Sequence, residues 1–515
     1  MRGLRRGAAV LGAVAAAMAL SAAPAVAGRR HGDDPGGHCA RQDRVAVPGA
    51  EVQRASCLAD LTTAGTVASG HTVPGDYAGL HAAGTVNPTG VPGVQVDGYF
   101  PDTSTGNTNN GWNHDSQFVL RFPDRWNGGL VVTGAPGVRR QYALDVTISD
   151  WVLARGYAFA ATDKGNTGAT FYRDGARPGD AVREWNRRVT QLTVAAKVAT
   201  AQRYGHPPRR TYMTGLSNGG YLTRWQLENV PGLYDGGVDW EGTLFRAAGP
   251  NLLTYLPTAL REYPRYVAGD ATARDRMIGA GFSPGSEFLW PIHYQVYWDL
   301  TQRIYREEFD PDYDGATEAG TPYCAGRVSR VAVDAGGVQA SVRQGGGGGH
   351  TGVVWTTTTT PPVGGWASSA PRVTHETHPS GTPGCDADYD YASRPDSVHR
   401  AVARVQNTGR IGRPMLTLHG TVDSLLPRET DSDVYTRLVA AAGRSGLHRY
   451  YVIEGGNHVD SFYGFFPDRL RPILPCYRDA FTALEAWVER GSPPPPSRSV
   501  PRGAGDVVNS CSLAG

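Results

Sequence analysis

The chain has 515 residues, with 50 lysines and arginines against 48 aspartates and glutamates and a formal net charge of +2. So balanced a charge argues against nucleic acid or an acidic membrane surface as a partner. The residues after 27 could hold two or three average domains, but no internal repeat and no clear linker before the prolines at 493–496 divides them, so one catalytic domain with an insertion fits better.

The first 27 residues predict an export signal. Arg2, Arg5 and Arg6 form a basic start, residues 8–20 are apolar and rich in alanine, and Ala25-Val26-Ala27 fits an A-x-A cleavage site. We therefore expect a secreted, extracellular protein that does not associate with a membrane after cleavage. The alternative is an uncleaved membrane anchor, which the small residues at the cleavage site disfavour.

The six cysteines predict disulfide bonds, because an exported chain with an even number of cysteines and no C-x-x-C motif is typical of a disulfide framework. Six cysteines allow 15 pairings. Proximity in the sequence favours three pairs: Cys39–Cys57, Cys324–Cys385 and Cys476–Cys511.

The first part of the mature chain, residues 28–94, is predicted to be an irregular N-terminal arm because its hydrophobic periodicity is weak. Strand patterns follow at residues 96–100, 118–122 and 130–133. The third of these strands runs into Gly134-Ala135-Pro136-Gly137, a turn whose N–H groups at Gly134 or Ala135 are candidates for an oxyanion hole.

Strands then alternate with helices, which predicts an α/β fold with a doubly wound, mostly parallel sheet. The predicted elements are a helix at 148–155, a strand at 157–162, a helix at 181–204, a strand at 211–214, a helix at 218–229 and a strand at 234–239. In the helix at 181–204, the apolar residues expected to face the core are Val189, Leu192, Val194, Ala195 and Val198.

The segment Gly215-Leu216-Ser217-Asn218-Gly219 matches G-x-S-x-G between a predicted strand and a predicted helix. This setting is that of a nucleophile elbow, which raises the serine hydroxyl above the sheet edge and aims the N–H of Asn218 at a developing oxyanion. A second match, Gly281-Phe282-Ser283-Pro284-Gly285, is rejected because proline has no N–H and no strand precedes it.

The alternation stops at residues 241–403, which we interpret as a cap or lid inserted into a catalytic core of residues 95–240 and 404–490. In the second part of the core, strands are predicted at 414–419 and 450–453, and helices at 433–442 and 477–490. A proline-rich tail, residues 491–515, is predicted to follow the core.

Asp423 and His458 complete a candidate Ser-His-Asp triad with Ser217. They follow predicted strands and keep the chain order Ser, acid, His of α/β-hydrolases. The run His419-Gly420-x-x-Asp423 favours Asp423 because a tight turn places its carboxylate just past a strand. The alternatives are Asp239 and Asp460 for the acid, and His419 and His350 for the base.

Several segments resemble the tannase and feruloyl esterase family. They are Arg155-Gly156-Tyr157-Ala158, Thr162-Asp163-Lys164-Gly165, Ala195-Ala196-Lys197, Tyr204-Gly205-His206-Pro207-Pro208 and the elbow at Ser217. The segment at 162–165 is also similar to secreted 3-hydroxybutyrate-oligomer hydrolases. The resemblance covers roughly residues 95–240 and 405–490. It implies an α/β-hydrolase fold, a lid, and a triad at Ser217, Asp423 and His458.

The chain departs from the family at two positions. Tannases typically carry cysteines directly before the serine and directly after the histidine, joined as a disulfide. Here those positions are Leu216 and Val459, so we expect packing to hold the elbow instead.

The predicted chemistry requires no cofactor, but a structural calcium ion is a further hypothesis. Asp310, Asp312 and Asp314 alternate before Gly315, as at the start of a calcium-binding loop, although Thr321 stands where such a loop would place glutamate. The resemblance supports calcium, because lids of this family often carry it. The alternative is a solvated acidic turn.

We therefore predict a serine hydrolase that cleaves a small-molecule or oligomeric carboxylic ester, either a phenolic or hydroxycinnamoyl ester or a hydroxyalkanoate oligomer. The alternatives are a secreted serine peptidase of the same fold and a non-catalytic binding protein on a hydrolase scaffold.

Overall fold

A computed structural model describes residues 45–313, 328–330, 332–334, 338–343, 352–357, 374–376 and 386–514. The predicted export signal, His350, Cys39, Cys324 and Cys385 lie outside these residues. Cys476 and Cys511 form a disulfide as predicted, and Cys57 is also disulfide-bonded. Within the described ranges, no helix combines the length and apolar character needed to cross a membrane.

Fifteen strands can be assigned in these ranges. They are β1 (Val52–Leu58), β2 (Gly93–Tyr99), β3 (Gln117–Pro123), β4 (Gly129–Gly134), β5 (Ala158–Thr162), β6 (Arg210–Leu216), β7 (Gly236–Trp240), β8 (Val328–Arg330), β9 (Ala332–Asp334), β10 (Val338–Arg343), β11 (Gly352–Thr357), β12 (Thr374–Glu376), β13 (Met415–Gly420), β14 (His448–Ile453) and β15 (Arg498–Val500).

Ten of these strands form one sheet in the order β1-β2-β3-β5-β4-β6-β7-β13-β14-β15. Every pair from β5 to β15 along this order is parallel, whereas β1, β2, β3 and β5 pair in antiparallel fashion. The predicted α/β-hydrolase fold is confirmed, because the elbow, a strand order in which β5 lies between β3 and β4, and a mostly parallel sheet occur together.

Twelve α-helices can be assigned in the same ranges. They are α1 (Thr63–Ala68), α2 (Pro74–Tyr77), α3 (Asp150–Ala154), α4 (Asp180–Tyr204), α5 (Asn218–Asn229), α6 (Leu252–Val267), α7 (Ala271–Gly279), α8 (Trp290–Val296), α9 (Trp298–Phe309), α10 (Asp396–Ala403), α11 (Ser432–Ala441) and α12 (Leu474–Arg490).

Alternate residues of the strands enter two separate cores, as the two-residue period of a strand requires. Leu130 and Val132 join the core that contains Val189 of α4, and Val131 joins the core that contains Phe481 of α12. β4 is therefore buried on both faces, which explains its continuous apolar run Leu130-Val131-Val132.

The structure corrects three sequence predictions. The predicted irregular arm contains β1, which extends the sheet by pairing with β2, and the proline-rich tail contains β15, which pairs with β14. In α4, Val194 and Val198 are 48% and 40% exposed rather than facing the core. The buried face of this helix runs instead through positions such as Trp185, because the sheet determines which side of the helix is covered.

The segment between β7 and β13 departs from the sheet alternation, as predicted. It contains α6 to α10 and two small sheets of its own, one with the order β11-β10-β9 and one that pairs β12 with β8. The helices α6 and α9 carry side chains to the edge of the main sheet where β6, β13 and β14 end.

Candidate active site

Ser217 lies in the tight turn between β6 and α5. Its backbone has φ 59° and ψ −119°, a strained conformation for a residue with a side chain. Gly215 and Gly219 permit the turn, because a Cβ on Gly215 would lie 2.5 Å from the carbonyl carbon of Gly219. The strand and the helix can therefore approach closely enough to leave the serine side chain at the sheet edge.

The imidazole of His458 joins Ser217 to Asp423. His458 Nε2 lies 3.0 Å from Ser217 Oγ, and His458 Nδ1 lies 2.8 Å from Asp423 Oδ2. Asp423 follows β13 and His458 follows the parallel neighbour β14, so both loops open at the same edge of the sheet as the elbow. The three predicted residues thus form one hydrogen-bonded row.

The charges in this row suit a proton transfer from Ser217 to His458. Burial disfavours the ionised form of Asp423, but the attraction of His458 and the hydrogen bonds from His419 and His458 outweigh it and hold the pKa of Asp423 below its usual range. Burial lowers the pKa of His458, and Asp423 more than compensates, so that this pKa lies above its usual value. The ionised Asp423 can hold the neutral imidazole in the tautomer that leaves Nε2 free to accept a proton.

The two alternative acids have structural partners instead. Asp239 accepts hydrogen bonds from Arg224 Nε at 2.7 Å, from Thr417 Oγ1 at 2.9 Å and from the N–H of Gly242 at 2.9 Å. Asp460 accepts the N–H groups of Ile473 and Leu474 at the start of α12, at 2.7 and 2.9 Å. Neither carboxylate makes a hydrogen bond to His458 in the described structure.

The alternative bases and the second serine also lie elsewhere. His419 is buried, with Nδ1 2.7 Å from Ser432 Oγ and Nε2 2.8 Å from the carbonyl oxygen of Leu426. Its Nε2 is 3.4 Å from Asp423 Oδ2, the same oxygen that lies 2.8 Å from His458 Nδ1. Ser283 donates to Glu429 at 2.9 Å. His350 lies outside the described residues.

The expected oxyanion donors need one correction. Asn218 is the first residue of α5, where its N–H is among those that the helix itself leaves without an acceptor. The N–H of Ala135 donates to the carbonyl oxygen of Thr162 at 3.0 Å and is not free for a substrate. Gly134 pairs with the same Thr162 as the last residue of β4. The prediction is therefore wrong for Ala135, whose N–H has an acceptor, and it stays a prediction for Gly134, which is not among the residues that line the cavity at Ser217.

The residues just after Ala135, rather than Gly134 and Ala135 themselves, lie beside Ser217. Pro136, Gly137 and Val138 line the cavity at Ser217, and Gly137 has a φ of 50°. The side chain of Asn218 holds this loop, because its Nδ2 donates to the carbonyl oxygen of Gly137 at 2.9 Å. The same Nδ2 also donates to the hydroxyl of Tyr305 at 2.6 Å, and so connects the elbow to α9.

A cavity of about 140 Å³ opens at Ser217. Its wall is mainly aliphatic and comes from the loop after β4, the elbow, the segment between β7 and β13, and the loops of Asp423 and His458. The lining residues are Leu80, Pro136, Gly137, Val138, Arg139, Leu216, Ser217, Asn218, Thr243, Leu252, Tyr297, Leu300, Thr301, Ile304, Tyr305, Leu425, Leu426, His458 and Val459.

Packing replaces a disulfide behind the serine, as expected from the sequence. Leu216 and Val459 are both buried in the core that also contains Trp240, and both reach the wall of the cavity. Aliphatic side chains at these two positions fix the elbow and add apolar surface next to the reacting groups.

Of the three aspartates predicted to bind calcium, the structure describes Asp310 and Asp312, and these two do not fit a calcium site. Asp310 Oδ2 accepts hydrogen bonds from Tyr389 at 2.9 Å and from Arg394 Nε at 2.6 Å, so an arginine occupies the oxygen that a cation would need. Asp312 is exposed, and Asp314 lies outside the described residues.

Two clusters of acidic or histidine side chains in the described ranges are compact enough to reach one ion. One is Glu241, Asp423 and His458, and the other is Asp102, Asp174 and Glu184. Neither includes Asp310. Arg188 forms ion pairs with both Asp102 and Glu184, at 2.9 and 2.7 Å, and so neutralises part of the second cluster.

Glu241 is the site residue that the sequence reasoning missed. It is buried directly after β7, and its Oε2 lies 3.8 Å from His458 Nδ1. The available signal was an acid just past the end of a strand. The predicted strand ended at Asp239, two residues earlier, so Asp239 rather than Glu241 was the candidate acid there. A left-handed backbone at Glu241, with φ 47°, brings its side chain to the site.

Two parts of this chain match models of known protein families. A family model described as tannase and feruloyl esterase matches residues 104–239, and a model described as 3HB-oligomer hydrolase matches residues 381–513. The chain is 33% identical over 111 residues to the D-(-)-3-hydroxybutyrate oligomer hydrolase of Azoarcus sp. (strain BH72). That alignment covers 20% of this chain and 16% of the relative.

Two solved structures align over most of their length, at low identity. Feruloyl esterase B from Aspergillus oryzae aligns with 15% identity and a TM-score of 0.45, covering 89% of this chain and 90% of that chain. Tannin acyl hydrolase from Aspergillus niger aligns with 14% identity and a TM-score of 0.44, covering 87% and 86%. The two family models confirm the resemblance of this chain to tannases and feruloyl esterases and to 3-hydroxybutyrate-oligomer hydrolases, which are ester hydrolases.

Proposed function

We propose that this protein is a secreted serine hydrolase that cleaves carboxylic esters through an acyl-enzyme on Ser217. The observation that carries the proposal is the continuous row from Ser217 Oγ through His458 to Asp423, with contacts of 3.0 and 2.8 Å. Such a row activates a serine hydroxyl, which is otherwise a weak nucleophile.

In the proposed reaction, His458 Nε2 takes the proton of Ser217 as Oγ attacks the ester carbonyl. Asp423 holds the imidazole and stabilises the positive charge that develops on it. His458 then gives its proton to the leaving alcohol, and the acyl group stays on Ser217. Water then attacks the acyl-enzyme as His458 takes its proton, and His458 returns that proton to Ser217 Oγ as the carboxylic acid leaves.

The negative oxygen that forms during attack requires fixed hydrogen-bond donors. We assign one to the N–H of Asn218, which lies at the positive end of α5. Gly137 replaces Gly134 and Ala135 as the proposed source of the second N–H, because it lines the cavity and Asn218 Nδ2 holds its carbonyl group at 2.9 Å.

The lining of the cavity favours hydroxyalkanoate oligomers over galloyl esters. Its wall is mainly aliphatic, and the Asn218 side chain already binds two of its hydroxyl groups, those of Thr243 and Tyr305. A galloyl ring would bury three hydroxyl groups, and each one left unpaired costs about 1–3 kcal/mol. The 3HB-oligomer hydrolase match points to the same substrate class.

Secretion is part of the proposal. The basic and apolar N-terminal segment with its A-x-A site supports it. The disulfide between Cys476 and Cys511 also supports it, because such bonds persist in oxidising compartments.

Turnover of an ester panel tests this function. The panel contains 3-hydroxybutyrate oligomers, a hydroxycinnamate ester and a gallate ester, with aminoacyl anilides as peptidase substrates and Ser217→Ala as the control. We expect ester cleavage that is fastest for the oligomers and absent from the Ser217→Ala variant. Anilide cleavage without ester cleavage would favour a peptidase, and no turnover of either class would favour a binding protein.

A further inference from the structure

Glu241 is held in one position at the end of β7. It is fully buried, and its φ of 47° is a strained backbone conformation for glutamate. Its N–H donates to the carbonyl oxygen of Leu418 at 2.9 Å, and its Oε1 accepts the N–H of Gly420 at 2.8 Å. These two hydrogen bonds fix the carboxyl group against the end of β13.

The other oxygen of this carboxyl group lies beside the imidazole. Glu241 Oε2 is 3.8 Å from His458 Nδ1, the same nitrogen that lies 2.8 Å from Asp423 Oδ2. Within the described residues, Glu241 Oε2 has no hydrogen-bond partner. Because a buried polar atom without a partner is costly and uncommon, its position next to a working histidine calls for an explanation.

Three titratable groups surround Glu241, namely Asp423, His419 and His458. Burial, followed by repulsion from Asp423, raises the pKa of Glu241 to about 8. Both causes favour the protonated form of Glu241, whereas His458 and His419 favour the ionised form of Asp423. Removal of the Asp423 charge would remove one cause of this shift, so Glu241 would ionise at a lower pH.

We propose that Glu241 is a reserve acid for His458, a positioning residue that accepts the Nδ1–H hydrogen bond when Asp423 cannot. The inference rests on the proposed function of Ser217 and His458. It requires Oε2 to move closer to Nδ1 by roughly 1 Å, since N–H···O hydrogen bonds are about 2.7–3.2 Å long. Asp239 cannot take this role, because Arg224, Thr417 and Gly242 bind its two oxygens.

A double-mutant cycle tests the reserve acid. Ester turnover is measured from pH 5 to 9 for the full chain and for its Asp423→Ala, Glu241→Gln and doubly substituted variants, with folding checked by thermal melting. We expect Glu241→Gln to reduce kcat by about tenfold more in the Asp423→Ala background than in the unchanged chain. We also expect it to lower the apparent pKa of His458 in that background, which loss of packing alone would not do.

Equal losses of kcat in both backgrounds, with the same apparent pKa, would overturn the reserve acid and leave the proposed function standing. Absence of Ser217-dependent turnover in the unchanged chain would overturn both. If the Gln variants do not fold, Glu241→Asp in the Asp423→Ala background replaces them. Aspartate keeps the carboxylate, but its shorter side chain places that group farther from His458 Nδ1. Loss of the turnover that remains in Asp423→Ala would support the proposal, and unchanged turnover would overturn it.

Discussion

Two buried polar networks lie next to each other where β7 and β13 end, and they differ in whether every group has a partner. In the Arg224 network, made of Arg224, Asp239, Asp431 and Ser432, the guanidinium donates from all three nitrogens. Nε binds Asp239 at 2.7 Å, Nη1 binds Asp431 at 2.8 Å and Nη2 binds Ser432 at 2.8 Å. This network is closed, as a network that stabilises the fold should be.

The site network, made of Ser217, His458, Asp423 and Glu241, is open at two points. Its row of hydrogen bonds ends at Ser217 Oγ, which lines the cavity, and Glu241 Oε2 is without a partner in the described structure. The Arg224 network has neither a hydroxyl at the cavity nor a carboxyl oxygen left without a partner at the site. The comparison shows that unsatisfied groups, rather than buried charge itself, distinguish the site from its structural neighbour.

Asp423→Asn should produce the largest effect, because it changes the site network at its centre. We expect kcat for an ester to fall by orders of magnitude at neutral pH, but by less than the roughly 10⁴-fold that loss of a triad carboxylate usually causes, because Glu241 takes over part of its role, and we expect the protein to stay folded. Asp423 raises the pKa of His458, and only the neutral imidazole can accept a proton. The acid limb of the pH profile should therefore move to lower pH as kcat falls; an unchanged kcat would exclude Asp423 from the triad.

Asp239→Asn is the matched substitution in the Arg224 network. It should lower the stability of the fold rather than kcat. Removing one partner from a buried ion pair costs about 3–5 kcal/mol, so we expect the free energy of unfolding to fall by that amount. The kcat of the folded enzyme should remain close to that of the unchanged chain. Denaturant unfolding and turnover, measured on the same samples, check this; a lost kcat with normal stability would contradict the comparison.

Chelation of divalent cations should have the smallest effect. Because Arg394 and Tyr389 bind the carboxylate of Asp310, we expect the melting temperature and ester turnover to be unchanged by EDTA. Differential scanning calorimetry with and without EDTA measures this. A lower melting temperature that calcium restores would revive the calcium hypothesis at Asp310, Asp312 and Asp314.

The sequence predicted the parts of the site that local chemistry determines. The small residues around Ser217 marked the elbow, and a glycine turn marked Asp423 at the end of a strand. Chain order then selected His458. These signals are local, because a strained turn or a helix end restricts which residues can occupy it.

The missed features depend on partners that are distant in the sequence. β1 and β15 are strands because β2 and β14 offer them open edges, and their own periodicity is weak. Val194 and Val198 are exposed because the position of α4 on the sheet selects its buried face. Glu241 reaches His458 through a single left-handed residue, which no hydrophobic pattern reveals.

The most direct test of the central claim is to trap the acyl group. The enzyme is mixed with an activated ester, quenched in acid within one turnover, and digested for peptide mass spectrometry. We expect the mass of the acyl group on the peptide that contains Ser217, and no such mass in the Ser217→Ala variant. An acyl group on another residue, or ester turnover that persists in Ser217→Ala, would contradict the account.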